Sequence, residues 1–141
     1  MQVETILQSK GRAVVTVTSG TSIADAVGQL NTRRIGAVVV VDDGRVTGIL
    51  SERDVVRHLG AQWGDLAGRP VSDIMTKNVV TASRFASISD VMEQMTDRRI
   101  RHLPIVDNGV LGGIVSIGDI VKRKIEETEQ EATALKEYIA S

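Results

Sequence analysis

Hydrophobic and polar positions along this chain follow one pattern, and they follow it twice. Val14-Val15-Thr16-Val17 is a β-branched run that reads as a strand. Ile23, Val27 and Leu30 then recur at helical spacing. Two further apolar runs, Ala37–Val41 and Arg45–Leu50, flank Asp43-Gly44, a dipeptide that accepts positive φ and so reads as a tight hairpin turn. A second helix is predicted from Ser51 onward. The order is strand, helix, strand, strand, helix.

Shifting the sequence by 65 positions lays Val14–Val56 on Val79–Val121 without a gap. Val79-Val80-Thr81 repeats the first strand, and Ile88, Met92 and Met95 repeat the helical stripe. Leu103–Val106 and Val110–Val115 repeat the hairpin around Asn108-Gly109, and a last helix begins near Ser116. Pro104 stands inside an apolar strand, which predicts an edge position where its missing N–H costs nothing. One copy is too small to bury a secure core by itself, so the two are expected to pack face to face with approximate two-fold symmetry. The expected division is 1–66 for the first copy with its N-terminal segment, 67–124 for the second, and 125–141 for a helical extension. Gly60–Arg69 is the expected connector, and Val71–Thr76 leads into the second copy.

Beyond Asp119 the copies part. Val121, Ile125, Thr128, Ala132, Leu135 and Ile139 fall at alternating four-three spacing, with charged residues on the other faces. This predicts one long amphipathic helix whose stripe either covers the protein's own core or meets a second subunit.

Composition narrows the chemistry. Aromatic residues make up only 2%, so the core must be aliphatic. Seventeen basic against eighteen acidic residues leave a net charge of −1, which gives no bulk attraction for nucleic acid or an anionic membrane. No cysteine is present, which excludes disulfides, thiolate catalysis and cysteine-based zinc sites. The longest strictly apolar run, Ala37–Val41, is far too short to span a bilayer. Met1-Gln2-Val3-Glu4 has no basic-then-apolar signal pattern, and the expected location is the cytoplasm.

The candidate chemistry lies in Gly48-Ile49-Leu50-Ser51-Glu52-Arg53-Asp54 and its repeat, Gly113-Ile114-Val115-Ser116-Ile117-Gly118-Asp119. A carboxylate can accept from both hydroxyls of a ribose. A serine at a helix start, beside free N–H groups and the positive end of the dipole, can seat a phosphate. The plainer reading is helix capping, since Ser-x-x-Asp also occurs at Ser22-x-x-Asp25 and Ser87-x-x-Asp90, with no Gly-strand before it. Only the Gly-strand context and the duplication favour a site at Asp54 and Asp119.

Both segments fit Gly-hydrophobic-hydrophobic-Ser/Thr-x-x-Asp, and the doubled arrangement resembles a pair of CBS domains over roughly residues 4–125. The resemblance implies a mixed α+β, sandwich-like fold of two tandem βαββα units with the long helix appended. It also implies a non-enzymatic regulatory module that binds an adenine nucleotide between its halves: AMP first, with ADP, ATP, NAD(H) or S-adenosylmethionine as alternatives. On the family pattern Asp54 and Asp119 take ribose, Ser51 and Ser116 take phosphate, and the backbone at Thr16 and Thr81 reads the adenine edge. Around the second motif, Arg101 and His102 before Pro104 stand where the first copy has Gly36 and Ala37. A guanidinium and an imidazole there can grip phosphate, which predicts a stronger second site. Alternatively Arg53 grips phosphate in the first site and both fill. Lys77 and Val79, entering the second copy, complete the candidate set. Arg33-Arg34 and Arg98-Arg99 fit dipole complementation at helix ends, and His58 has no evident catalytic partner. The family's usual assembly implies a homodimer acting on a separate effector protein. The competing function is a dimerising scaffold that has lost its ligand. An enzyme is disfavoured because no nucleophile-base arrangement, phosphate-loop lysine motif or metal cluster is visible.

Overall fold

The computed structural model describes residues 1–60 and 63–141; Ala61 and Gln62 of the expected connector lie outside the described residues. In chain order the elements are α1 (Val3–Lys10), β1 (Thr16–Val17), α2 (Ile23–Arg33), β2 (Ala37–Asp42), β3 (Arg45–Ser51) and α3 (Glu52–His58). After these come α4 (Trp63–Ala67), a 3₁₀ turn (Val71–Asp73), α5 (Ile88–Arg98), β4 (His102–Asp107), β5 (Val110–Ser116) and α6 (Ile117–Ala140). The fold is mixed α+β, and each copy carries the expected helix–hairpin–helix series.

Local chemistry accounts for these elements. Ser22 and Ser87 cap α2 and α5, accepting from the backbone N–H of Asp25 and Asp90 at 3.1 and 3.0 Å. Both helices end at an arginine in the left-handed region, Arg34 (φ 52°) and Arg99 (φ 54°). The following N–H closes each end, from Ile35 to the Leu30 carbonyl and from Ile100 to the Met95 carbonyl. So Arg33-Arg34 and Arg98-Arg99 serve helix termination. Each hairpin turns through two positive-φ residues, Asp43-Gly44 and Asn108-Gly109, matching the right-handed twist of the strands. Asp42 and Asp107, just before these turns, clamp the segment entering each copy. Asp42 accepts from Thr47 Oγ1 (2.6 Å) and from the N–H and hydroxyl of Ser19; Asp107 accepts from Ser83 Oγ (2.6 Å) and the Arg84 N–H. These donors, the hydroxyls of Thr47 and Ser83 foremost, hold both carboxyls below the usual range.

The two sheets differ by one residue type. In the first, β1 pairs parallel with β2 (Thr16↔Val39, Val17↔Val40), and β2 pairs antiparallel with β3. The Val39 N–H donates to the Val15 carbonyl at 3.2 Å. Pro104 occupies the equivalent position and has no N–H to give. There the third strand shrinks to a single bridge, Ala82↔Ile105, leaving a two-stranded sheet of β4 and β5. The proline therefore has a cost the sequence reading did not foresee: it removes a ladder bond.

The chain forms two compact units whose limits are not those of the repeats. One comprises residues 13–81 with 108–111; the other comprises 1–12, 82–107 and 112–141. Leu66 of the expected connector, with Val71 and Ile74 of the stretch that follows it, is thus part of the first unit's core, buried beside Val38, Val40 and Leu50. The bridge Ser22↔Pro70 joins this stretch to the start of α2. Helix α1 belongs to the second unit. It buries Val3, Ile6 and Leu7 there, and the bridge Gln2↔Ser87 fixes its start. Eight residues make a marginal helix alone. Burying those side chains contributes up to about 1.5–3 kcal/mol each, enough to hold it. Both cores are aliphatic, and Trp63, Phe85 and Tyr138 are exposed.

Candidate nucleotide-binding site

In the first unit the chain brings Gly36, Ala37, Ser51 and Asp54 together. Ala37 and Ser51 are partners across the β2–β3 ladder, and the Glu52 N–H donates to the Gly36 carbonyl at 3.0 Å. Ser51 caps α3 in a reciprocal box. Its hydroxyl accepts from the Asp54 N–H (3.3 Å), while its own N–H donates to Asp54 Oδ2 (2.9 Å). Asp54 is buried, and its Oδ1 accepts from Thr76 Oγ1 at 3.3 Å. Both carboxylate oxygens are therefore engaged within the protein. His58 makes a 2.7 Å contact from Nδ1 to the Asp54 backbone carbonyl, which anchors the imidazole to its own helix. Arg53 is exposed on α3. Thr16, on β1, lies on an open groove of about 730 Å³ walled by α2 residues, and that groove includes neither Ser51 nor Asp54. Lys77 and Thr81 are exposed and Val79 half-buried in the segment that closes this unit.

The second unit repeats the box at the start of α6. Ser116 accepts from the Asp119 N–H (3.2 Å), and its N–H donates to Asp119 Oδ2 (2.9 Å). The Ile117 N–H donates to the Arg101 carbonyl at 2.8 Å, bringing exposed Arg101 to this helix start. His102 is half-buried at the head of β4, and Pro104 is buried two residues on, its carbonyl accepting from the Ala82 N–H.

Lys10 is the residue the sequence reading missed. From the end of α1 its ammonium donates to Asp119 Oδ2 at 2.7 Å and to the Ile114 carbonyl at 3.1 Å. Burial pushes the Asp119 carboxyl upward, but the Lys10 hydrogen bond and the Ser116 N–H outweigh it, leaving the group below the usual range. The readable signal was Val3, Ile6 and Leu7 at helical spacing before Gly11, a helix with its stop.

The motif glycines have a structural reason. A Cβ on Gly113 would stand 2.6 Å from Leu7 Cδ2, and one on Gly48 would run into the Met75 sulfur and lie 3.1 Å from the Thr76 carbonyl oxygen. The close approach that glycine permits here is by the protein's own α1 and by the backbone at Thr76, which bridges to Ile49.

The duplicated sequence that builds these boxes also matches known proteins. The sequence profile of the CBS domain matches residues 10–61 and 71–126. The chain belongs to the CBS domain family. Its relatives include the mitochondrial CBS domain-containing protein CBSX3 of Arabidopsis thaliana, 33% identical over 143 residues, covering 95% of this chain and 69% of the relative. Among solved structures, the CBS-domain protein ATU1752 of Agrobacterium tumefaciens superposes with a TM-score of 0.84 at 46% identity, covering 88% of this chain and 99% of that one. The CBS domain pair of MJ0100, solved with 5′-methylthioadenosine and S-adenosyl-L-methionine, matches with a TM-score of 0.79 at 27% identity, covering 90% and 98%. Such neighbours are CBS pairs, and this one binds adenosine-containing ligands.

Proposed function

We propose that this chain is an adenine-nucleotide sensor without catalytic activity of its own, acting in trans on a separate protein. The observation that carries the reading is the duplicated Ser–Asp box at two helix N-termini, in a family whose member MJ0100 holds adenosine derivatives. AMP is the favoured ligand: its one phosphate needs a single seat, and its ribose a single carboxylate.

The second half-site is the better candidate. Asp119 is only half-buried and already faces a cation, whereas buried Asp54 is satisfied on both oxygens. Arg101, near Ser116, adds a charge for phosphate, and Lys10 adds another. No described helix is long and apolar enough to cross a membrane, and the cytoplasm is the proposed location. The internal engagement of Asp54 favours a second reading, a CBS scaffold that no longer binds ligand. Thermal-shift measurements with AMP, ATP, NAD⁺ and S-adenosylmethionine separate the two. The sensor reading expects a concentration-dependent rise in Tm with at least one ligand; a flat response to all four supports the scaffold.

A further inference from the structure

Helix α6 has two faces with different fates. Ile120 is fully buried, and Lys124 and Glu127, following at helical spacing, are half-buried. Lys124 donates to Ser89 Oγ at 3.0 Å, and Glu127 meets the N-terminal ammonium at 3.5 Å. This face docks the helix on its own unit. The four-three stripe points elsewhere: Ile125 is 54% exposed, Leu135 59% and Ile139 74%. The stripe does not cover the protein's own core. From Thr128 to Ala140 every residue is exposed, and residues 127–141 lie beyond the family match.

The spacing specifies the occupant. Alternating four-three steps define a seam of period 3.5, the repeat of helices that supercoil around one another; a helix lying on its own domain needs the broader 3.6 stripe. On heptad lettering Ile125, Ala132 and Ile139 take position a, and Val121, Thr128 and Leu135 take d. Ile at a with Leu at d, as at Ile139 and Leu135, favours two parallel strands. The flanking charges select the same arrangement. In a parallel, in-register pair, Glu131 (g) faces Lys136 (e) of the other copy, an attractive contact that occurs twice, while Lys124 (g) stays with Ser89 of its own unit. A fully overlapped antiparallel pair sets Lys122 against Lys136, Glu129 against Glu129 and Glu131 against Glu131, all repulsive. We infer that the exposed face of α6 is a self-association surface, on which two copies of this chain form a parallel, in-register coiled coil over Val121–Ile139, about 28 Å long.

This inference is independent of nucleotide binding. Sedimentation equilibrium of the full chain, without ligand, tests it. The wild type is expected to dimerise reversibly, and Leu135→Asp should weaken dimerisation at least ~10-fold by placing charge in the seam. Leu135 is exposed, so the variant's Tm at low concentration should match the monomeric wild type. Glu131→Lys should weaken the dimer, as should Lys136→Glu, whereas the double variant, or an equimolar mixture of the two single variants, should restore it. Because the chain has no cysteine, Ala132→Cys should oxidise to a linked dimer only if the helices are parallel and in register. A monomer at 100 µM overturns the inference and leaves the stripe to another protein. A dimer indifferent to Leu135→Asp and to charge reversal overturns it as well, by placing the contact elsewhere.

Discussion

At Asp119 one carboxylate oxygen serves two structural donors, the Ser116 N–H within its capping box and the Lys10 ammonium from α1. The sequence shows the box, because its members are three residues apart. It does not show Lys10, which comes from 109 positions away and whose place depends on α1 docking over Gly113. The same limit applies at Asp54, where Thr76 arrives from 22 positions away. Local chemistry is legible; the donor that tunes it is not. The Lys10 bond gives a pH prediction. A carboxyl held below its ordinary range contributes stability at neutral pH, and that contribution is lost as pH falls through the folded-state value. Lys10→Met removes the stabilising cation, so the Asp119 carboxyl should titrate at higher pH, as followed by carboxyl-carbon NMR. Stability below the folded-state value should change little between the two proteins, while neutral-pH stability drops. An unmoved Asp119 titration would mean that the ion pair does not hold in solution.

Among the elements, α2, α3, α5, α6 and both hairpins were readable, because helical spacing, capping serines and Gly-containing turns are short-range signals, whereas α1 and α4 went unread. The exceptions are instructive. Val14–Val17 reads as a full strand, yet only Thr16 and Val17 pair, since a strand needs a partner's register as well as β-branched residues. Its repeat keeps only the Ala82↔Ile105 bridge, and Pro104 is the reason. Val39→Pro should therefore convert the first sheet toward the form of the second. It removes the 3.2 Å bond to the Val15 carbonyl and should cost about 1–3 kcal/mol of stability in urea denaturation. A loss much below that range would mean the β1–β2 bond contributes little and would attribute the shorter second sheet to something other than its proline.

For the molecule as a whole, the 65-residue repeat made the CBS pair and its mixed α+β class legible, because the same packing had to be encoded twice. What it did not encode was which segment completes which unit: α1 precedes the first copy yet buries its apolar face in the unit of the second, and Leu66–Ile74 completes the first. Sequence order and packing order diverge wherever a linker carries enough apolar surface to choose its own core. Ligand binding, in turn, depends on whether the two Ser–Asp boxes are more than helix caps. Calorimetric titration of AMP into the wild type, Asp54→Ala and Asp119→Ala, each confirmed folded by circular dichroism, tests this most directly. Saturable binding is expected, largely abolished by Asp119→Ala and weakened less by Asp54→Ala. Saturable binding that survives both substitutions undiminished would contradict it, reducing Asp54 and Asp119 to caps and placing the nucleotide elsewhere.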